Sequence, residues 1–232
     1  ANGNGEILTA EDLDDGSTAD CGLASLSIDK TDFDCDDLGT TNVTLTVTDE
    51  EGATSTCIAT VTMSDIYAPT ANCQDITITL DDTGHASIAN DALDSGSSDN
   101  CGILNFSLSQ NSFDCDDVGT VEVTQTVLDE SENASTCTAT VTVQDTDAPT
   151  AVCQGTILSL DATGNTSLEA DDVDSGSSDN CDITSLTLNK TNFNCDNIGA
   201  NIVTLTVTDP SGNQSTCMAS IEIMDDTEPT AL

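Results

Sequence analysis

The chain is 232 residues long and carries 43 Asp and Glu against two Lys and Arg, a formal charge of −41. An excess of that size has no internal partners to neutralise it, and it excludes nucleic acid and simple adsorption to anionic lipid as binding modes. No apolar run is long enough for insertion into a bilayer.

The sequence repeats on an 80-residue ruler. DSGSSDNC stands at 94–101 and again at 174–181. The cysteines fall into four series: Cys21, Cys101 and Cys181; Cys35, Cys115 and Cys195; Cys57, Cys137 and Cys217; Cys73 and Cys153. A fixed long period without insertions is one supersecondary unit copied end to end. The ruler predicts repeats at 1–69, 70–149 and 150–232, the first without its opening strand and the last running into the next linker, as in a window on a longer array.

In chain order the units read as β. In the first, Val43, Leu45 and Val47 alternate with threonines, and Cys57, Ala59, Val61 and Met63 share one face of the following run. The second offers a hairpin over Thr120–Val143 that turns near Ser131. The third repeats the pattern with Val203, Leu205 and Val207, then Cys217, Ala219, Ile221 and Ile223. Clusters of Asp, Gly, Ser and Asn punctuate these runs, and no long helical stripe interrupts them. The predicted fold class is all-β: tandem Greek-key β-sandwiches of 80 residues each, arranged as an elongated rod. Units this small bury only about 60% of their unfolded surface, so cross-links compensate for a thin core. The recurring aromatic, Phe33, Phe113 and Phe193, is expected to plug that core. His85 is the single histidine, with Gly5 and Asn165 at its phase, so it reads as a solvated turn residue and the chain as a non-enzyme.

Four cysteines per unit, none in Cys-x-x-Cys spacing, read as two structural disulfides per repeat in an oxidising compartment. Cys115 precedes the first strand of the hairpin and Cys137 lies near its turn, roughly 25 Å away at about 3.3 Å per residue and beyond disulfide reach. Cys101 and Cys115 flank a short segment symmetrically about Leu108, as a tight hairpin requires. Cys73 at the start of the first strand is left to meet Cys137 at the start of the last. The expected pairs are therefore Cys73 with Cys137, Cys101 with Cys115, Cys153 with Cys217 and Cys181 with Cys195. Cys21 and Cys35, at the phases of Cys101 and Cys115, are expected to be disulfide-bonded in the same way in the first repeat, and Cys57 is expected to pair upstream of Ala1.

Five acidic positions recur in all three units: Glu11, Asp91 and Asp171; Asp14, Asp94 and Asp174; Asp36, Asp116 and Asp196; Asp49, Asp129 and Asp209; Asp65, Asp145 and Asp225. All fall in predicted loops or in the linker between repeats. The linker over 143–151, VQDTDAPTA, is expected to set Asp145 and Asp147 beside Asp171, Asp174, Asp179 and Asp209 of the next unit. The same phases nominate Asp65, Asp91, Asp94 and Asp129, with Asp116 and Asp225 completing the candidate metal ligands. Oxygen-rich clusters of this kind suit Ca²⁺, which takes six to eight oxygens at about 2.4 Å. Solvated acidity without any bound ion is the alternative explanation of the same charge.

The motifs PTAxCQ (69–74 and 149–154), DNCG (99–102) and FDCDDVGT (113–120), with the hairpin ending STCTATVTV (135–143) and closing on DTDAP (145–149), resemble the hyalin repeat (HYR) domain. The likeness is to its extra-cysteine form in giant bacterial surface adhesins, including those associated with gliding motility and type IX secretion, and it covers essentially the whole chain. It implies an immunoglobulin-like sandwich and an extracellular, cell-surface role in adhesion. DTDAP is also similar to the calcium-binding linkers of cadherins. The first junction departs from it, with Tyr67 in place of the second Asp, and is expected to treat the ion differently.

Two functional readings fit these features. One is a structural stalk or fibre segment, with neighbouring repeats of the same chain as its partners and a homo-oligomeric filament as a further assembly. In the other, each repeat is itself a carbohydrate- or surface-binding module, for which four Phe and one Tyr offer few aromatic platforms.

Overall fold

The computed structural model describes residues 6–228, so the outer limits of the first and third repeats, at Ala1 and Leu232, lie outside the described residues. The first repeat contributes β1 (Glu6–Ile7), β2 (Leu23–Ile28), β3 (Asp32–Phe33), β4 (Gly39–Asp49) and β5 (Thr54–Met63). The second contributes β6 (Ile76–Thr79), β7 (His85–Ser87), β8 (Ile103–Leu108), β9 (Ser112–Asp114), β10 (Gly119–Asp129) and β11 (Ala134–Gln144). The third contributes β12 (Thr156–Ser159), β13 (Asn165–Ser167), β14 (Ser185–Leu188), β15 (Asn192–Asn194), β16 (Gly199–Thr208) and β17 (Gln214–Met224). The described helices are single turns, among them Cys35–Asp37, Cys115–Asp117 and Cys195–Asn197. None is long and apolar enough to cross a membrane. The protein is all-β, a tandem of β-sandwich repeats.

Contacts divide the chain into two compact units: residues 1–74, 90–109 and 123–139, and residues 75–89, 110–122 and 140–232. In the first unit β4 pairs antiparallel with β2 and β5, β1 pairs with β3, and β8 pairs with β10. In the second, β16 pairs antiparallel with β14 and β17, while β12 runs parallel to the outer edge of β17. There β13 pairs with β15 in a separate small sheet. β6 likewise runs parallel to β11, and β7 pairs with β9.

Period-two alternation sends one face of each long strand inward. Val203, Leu205 and Val207 on β16 are fully buried, as are Ile221 and Ile223 on β17 to within 1%. They meet Phe193 of the small sheet, with Leu160, Leu168 and Val173, in one core. Phe33 and Phe113 are buried in the same way, so the recurring aromatic is the core plug expected of it. Both lysines lie over these rings: Lys30 Nζ is 5.2 Å from the Phe33 centroid and Lys190 Nζ 4.4 Å from that of Phe193. Lys30 also pairs with Asp37 at 2.6 Å.

Cys73 is bonded to Cys137 and Cys153 to Cys217, the pairs set by a first strand lying parallel to the last. The other expected pairs, Cys21 with Cys35, Cys101 with Cys115 and Cys181 with Cys195, do not form. Cys101 is bonded to Cys35 and Cys181 to Cys115, so these bridges join one repeat to the next. The third repeat shows why Cys181 and Cys195 stay apart. The segment between them is no hairpin: β14 pairs with β16 in one sheet while β15 pairs with β13 in the other. Cys21, Cys57 and Cys195 are free and exposed; on the 80-residue ruler their partner phases fall outside 1–232.

Non-reducing peptide mapping should recover Cys35 with Cys101 and Cys115 with Cys181, and a dominant Cys101–Cys115 peptide would contradict the topology. Phe193→Ala, which empties the centre of a small core, should cost about 3–5 kcal/mol in urea unfolding.

Candidate cation site at each repeat junction

Each junction gathers three carboxylates from three chain segments. At the first, Asp65 comes from the linker after β5, Asp99 from the loop before β8 and Asp129 from the end of β10. At the second the corresponding residues are Asp145, Asp179 and Asp209. In both groups, one oxygen from each residue lies within 4.8 Å of the others.

Local hydrogen bonding fixes this geometry. Asp129 Oδ1 accepts the amides of Ser131 and Asn133, each at 2.8 Å, closing the turn into β11. Asp99 Oδ2 accepts the amide of Cys101 at 2.8 Å, and Asp179 Oδ2 that of Cys181 at 3.0 Å. Two asparagines then grip the incoming linker. Asn133 Nδ2 donates to Asp129 Oδ2 at 2.8 Å and to the Asp65 carbonyl at 3.1 Å, and Asn100 Nδ2 donates to Asp65 Oδ1 at 3.2 Å. Asn213 and Asn180 do the same for Asp145.

The electrostatics are unfavourable as they stand. Asp129, Asp209, Asp65 and Asp145 are 0, 2, 5 and 6% exposed. Asp65 Oδ2, Asp145 Oδ2, Asp179 Oδ1 and Asn180 Oδ1 are buried without a hydrogen-bond partner. Two unit charges 4.8 Å apart repel by about 3.5 kcal/mol at an effective dielectric near 20. Three such pairs approach the whole stability of a domain, about 5–15 kcal/mol. Both lysines are engaged at Phe33 and Phe193, so no basic side chain is left over for the six acids. A cation held by these oxygen donors would supply the missing charge. Carboxylate oxygens gathered within 4.8 Å of one another are close enough to share one Ca²⁺, whose oxygen ligands lie at about 2.4 Å.

Of the aspartates nominated by recurrence and linker position, the structure brings together Asp65 with Asp129, and Asp145 with Asp179 and Asp209. Asp147 sits beside them: its amide donates to Asp145 Oδ1 at 3.2 Å, and it lines an open polar cleft with Asp82 and Asp179. Asp94 and Asp174 instead cap the Ser-Gly-Ser-Ser turns, accepting the amides of Gly96 and Ser97 and of Gly176 and Ser177. The Ser97 and Ser177 hydroxyls hold these two carboxyls below the ordinary value of 3.8. The Asp91 carbonyl accepts the Asp94 amide, and Asp171 lies in a single turn over Ala170–Asp172. Asp116 lies in another such turn, its amide on Asp114, and Asp225 accepts from Thr227.

Asp99 and the four asparagines were outside the sequence nomination. Recurrence in all three repeats hides them, because the first repeat carries Ala19, Asp20 and Ala53 at their phases. The available signal was the twofold DNC of 99–101 and 179–181. Those three residues supply the clustered carboxylate, the linker clamp and the half-cystine that reaches back to the preceding repeat. The close fit extends to Gly84, with φ +76°: a Cβ there would lie 2.7 Å from Cys115 Sγ and 2.8 Å from the Asn180 carbonyl oxygen.

No protein-family model and no curated protein sequence matches the chain. Similar solved structures include Protocadherin Gamma B7 extracellular cadherin domains 1–4, at 12% identity and a TM-score of 0.37 over 90% of this chain. This chain spans 66% of that one. Mouse clustered PcdhgC3 EC1–3 is similar at 13% identity and a TM-score of 0.36, covering 84% of this chain and 82% of its own. Likeness at these TM-scores carries no weight for function, and the all-β class rests on the strand pairings themselves.

Titration calorimetry should find two Ca²⁺ sites per chain. Asp209→Asn should remove one and spare the other, and Asp129→Asn should do the reverse. Saturation at about 100 times Kd should add about 2.7 kcal/mol per site to stability. The caps titrate separately. A carboxyl whose folded pKa is depressed stabilises above the unfolded value and loses that contribution as pH falls through the folded one. Acid unfolding should therefore steepen below about pH 4, and Ser177→Ala should move the Asp174 titration, followed by NMR, up toward 3.8.

Proposed function

We propose that the chain is a structural stalk or fibre segment of an extracellular, disulfide-bonded and calcium-stiffened bacterial surface adhesin or filament, built from the repeats 1–69, 70–149 and 150–232. The observation that supports this reading most is the double lock at both junctions, a bridge between repeats next to a buried acidic cluster. Disulfides of this number fit an oxidising, extracellular compartment. The hyalin-type motifs and the DTDAP linker favour an adhesin. In this reading the chain performs no reaction; its one histidine, His85, is exposed on β7.

The cross-links suggest how load would travel. Tension entering at Cys35 crosses the bridge to Cys101, follows the backbone to Cys115 and crosses again to Cys181. Only the 14 residue steps from Cys101 to Cys115 lie on that path, and the rest of the 80-residue period is bypassed. At about 3.4 Å per residue, a fully stretched repeat spans about 50 Å when oxidised and about 270 Å when reduced, and the extension released on unfolding is that length less what the folded repeat already spans. The ion would then govern bending at a joint that the disulfide keeps from parting.

Single-molecule pulling should show the short increment with the bridges intact and the long one after reduction; long increments from oxidised protein would sink the load path. Chelation should raise the flexibility seen by small-angle scattering only modestly in the native chain, and strongly once Cys35→Ser and Cys101→Ser open the first bridge. An indifferent scattering profile in both would remove calcium from the reading and leave the disulfides.

A further inference from the structure

The outer face of the third repeat's main sheet differs from its counterpart in the second. β12, β17, β16 and β14 lie side by side, with Val203, Leu205, Val207, Ile221 and Ile223 turned into the core, so the residues between these face away from it. Four of the outward residues are large and apolar: Ile157, Ile202, Met218 and Met224 are 61, 62, 77 and 37% exposed. The register sets Ile157 opposite Glu222, Ile202 opposite Ser220 and Met218 opposite Thr204, so the four make one patch astride β17.

The fold does not call for them. Eighty residues earlier the same positions are Thr77, Glu122, Thr138 and Gln144, and β6, β11, β10 and β8 form the same sheet without an apolar residue at any of the four. All four are exposed there although a linker and a further repeat follow in the chain, so the exposure in the third repeat is not owed to what lies beyond Met224. Apolar side chains exposed singly need no explanation, but a cluster that a sister repeat dispenses with does. Charge is also withheld from this face. Of the 43 Asp and Glu, Glu222 alone stands at an outward position of β12, β14, β16 or β17. Asp226 touches only the rim, where it accepts the Ser159 hydroxyl at 2.7 Å.

We propose that this face is a lateral contact between two copies of the chain, each laying the sheet of its third repeat on that of the other about a twofold axis. An apolar centre bordered by Thr and Ser hydroxyls, with charge kept away, is the composition of a protein contact. Electrostatics selects the occupant. A cationic partner would be drawn to the acidic loops rather than to the one nearly uncharged face, and a sugar surface would want aromatic rings, which these four strands lack. A second copy brings a face equally free of charge, and its twofold meeting needs only one self-complementary patch. The sheet offers roughly 450 Å² per copy at about 4.8 Å between strands and about 3.3 Å per residue. Twice that, on the order of 900 Å², is the size of a weak, reversible contact. Since each chain carries a charge of −41, the contact forms only where salt screens the rest of the surface. It calls on neither the ions nor the bridges of the stalk reading, and the two can fail separately.

The test is sedimentation equilibrium of the full chain, its three free thiols capped by alkylation with the four bridges left intact. A monomer–dimer equilibrium should appear and tighten at least about tenfold between 0.1 and 1 M NaCl, as the screening length falls from about 10 Å to about 3 Å. It should persist with chelator present. Peroxide oxidation of Met218 should slow at protein concentrations where the dimer is populated, while that of Met63 should not change. The combined variant Ile157→Thr, Ile202→Glu, Met218→Thr and Met224→Gln gives the third repeat the residues that the second already folds with, and it should stay monomeric with an unchanged circular dichroism spectrum. A native chain that is monomeric at 1 M salt, a dimer that chelation abolishes, or a variant that associates like the native chain would each overturn the proposal. So would a monomeric chain whose patch is taken up instead by phosphatidylcholine vesicles or by a neutral polysaccharide.

Discussion

Like charges drawn together without a counter-charge set the terms for this molecule. Three carboxylates meet at each junction, two of them almost wholly removed from water, in a chain whose two lysines are spent on phenylalanine rings inside the repeats. The protein answers part of the cost with hydrogen bonds. Backbone amides hold Asp99 and Asp129, and asparagine side chains hold the linker aspartate, so the oxygens are positioned by neutral donors. That leaves buried oxygens without a donor beside clustered carboxylates, an arrangement that could hold a hard cation.

The bridge between repeats makes that arrangement easier to hold. Cys101 follows Asp99 by two residues, so the bond to Cys35 keeps the loop bearing Asp99 close to the repeat that sends in Asp65. With the joint tethered, the ligands meet at high effective concentration and less ordering is left for an ion to impose. Gly84 belongs to the same economy of space at the second junction, where any side chain would collide with both the sulfur and the Asn180 carbonyl.

The sandwich was legible because strands announce themselves through a period of two. Val203, Leu205 and Val207 alternate with polar neighbours and are buried as read. The Cys73–Cys137 pair was legible from strand direction. The bridges between repeats were not, and the reason lies in the repeat itself. Cys101 to Cys115 and Cys101 to Cys35 join the same two phases of the ruler, so periodicity cannot tell a bond within a repeat from one between repeats. Only the passage of the chain from one sheet to the other, seen in β14 and β15, separates the two. Asp99 was missed for a related cause, since demanding recurrence in every copy discards a position that the first copy has replaced with Ala19.

The four bridges overlap like links of mail: Cys35–Cys101, Cys73–Cys137, Cys115–Cys181 and Cys153–Cys217. Every peptide bond from Cys35 to Cys217 is therefore enclosed by at least one of them. A protease that cuts once anywhere in that span severs the backbone and releases nothing, because the two fragments stay joined through sulfur. Between Cys73 and Cys101, and again between Cys115 and Cys137 and between Cys153 and Cys181, a single cut is spanned twice. An exposed fibre made this way would shed pieces only after repeated cleavage within one short interval, or after its environment turned reducing.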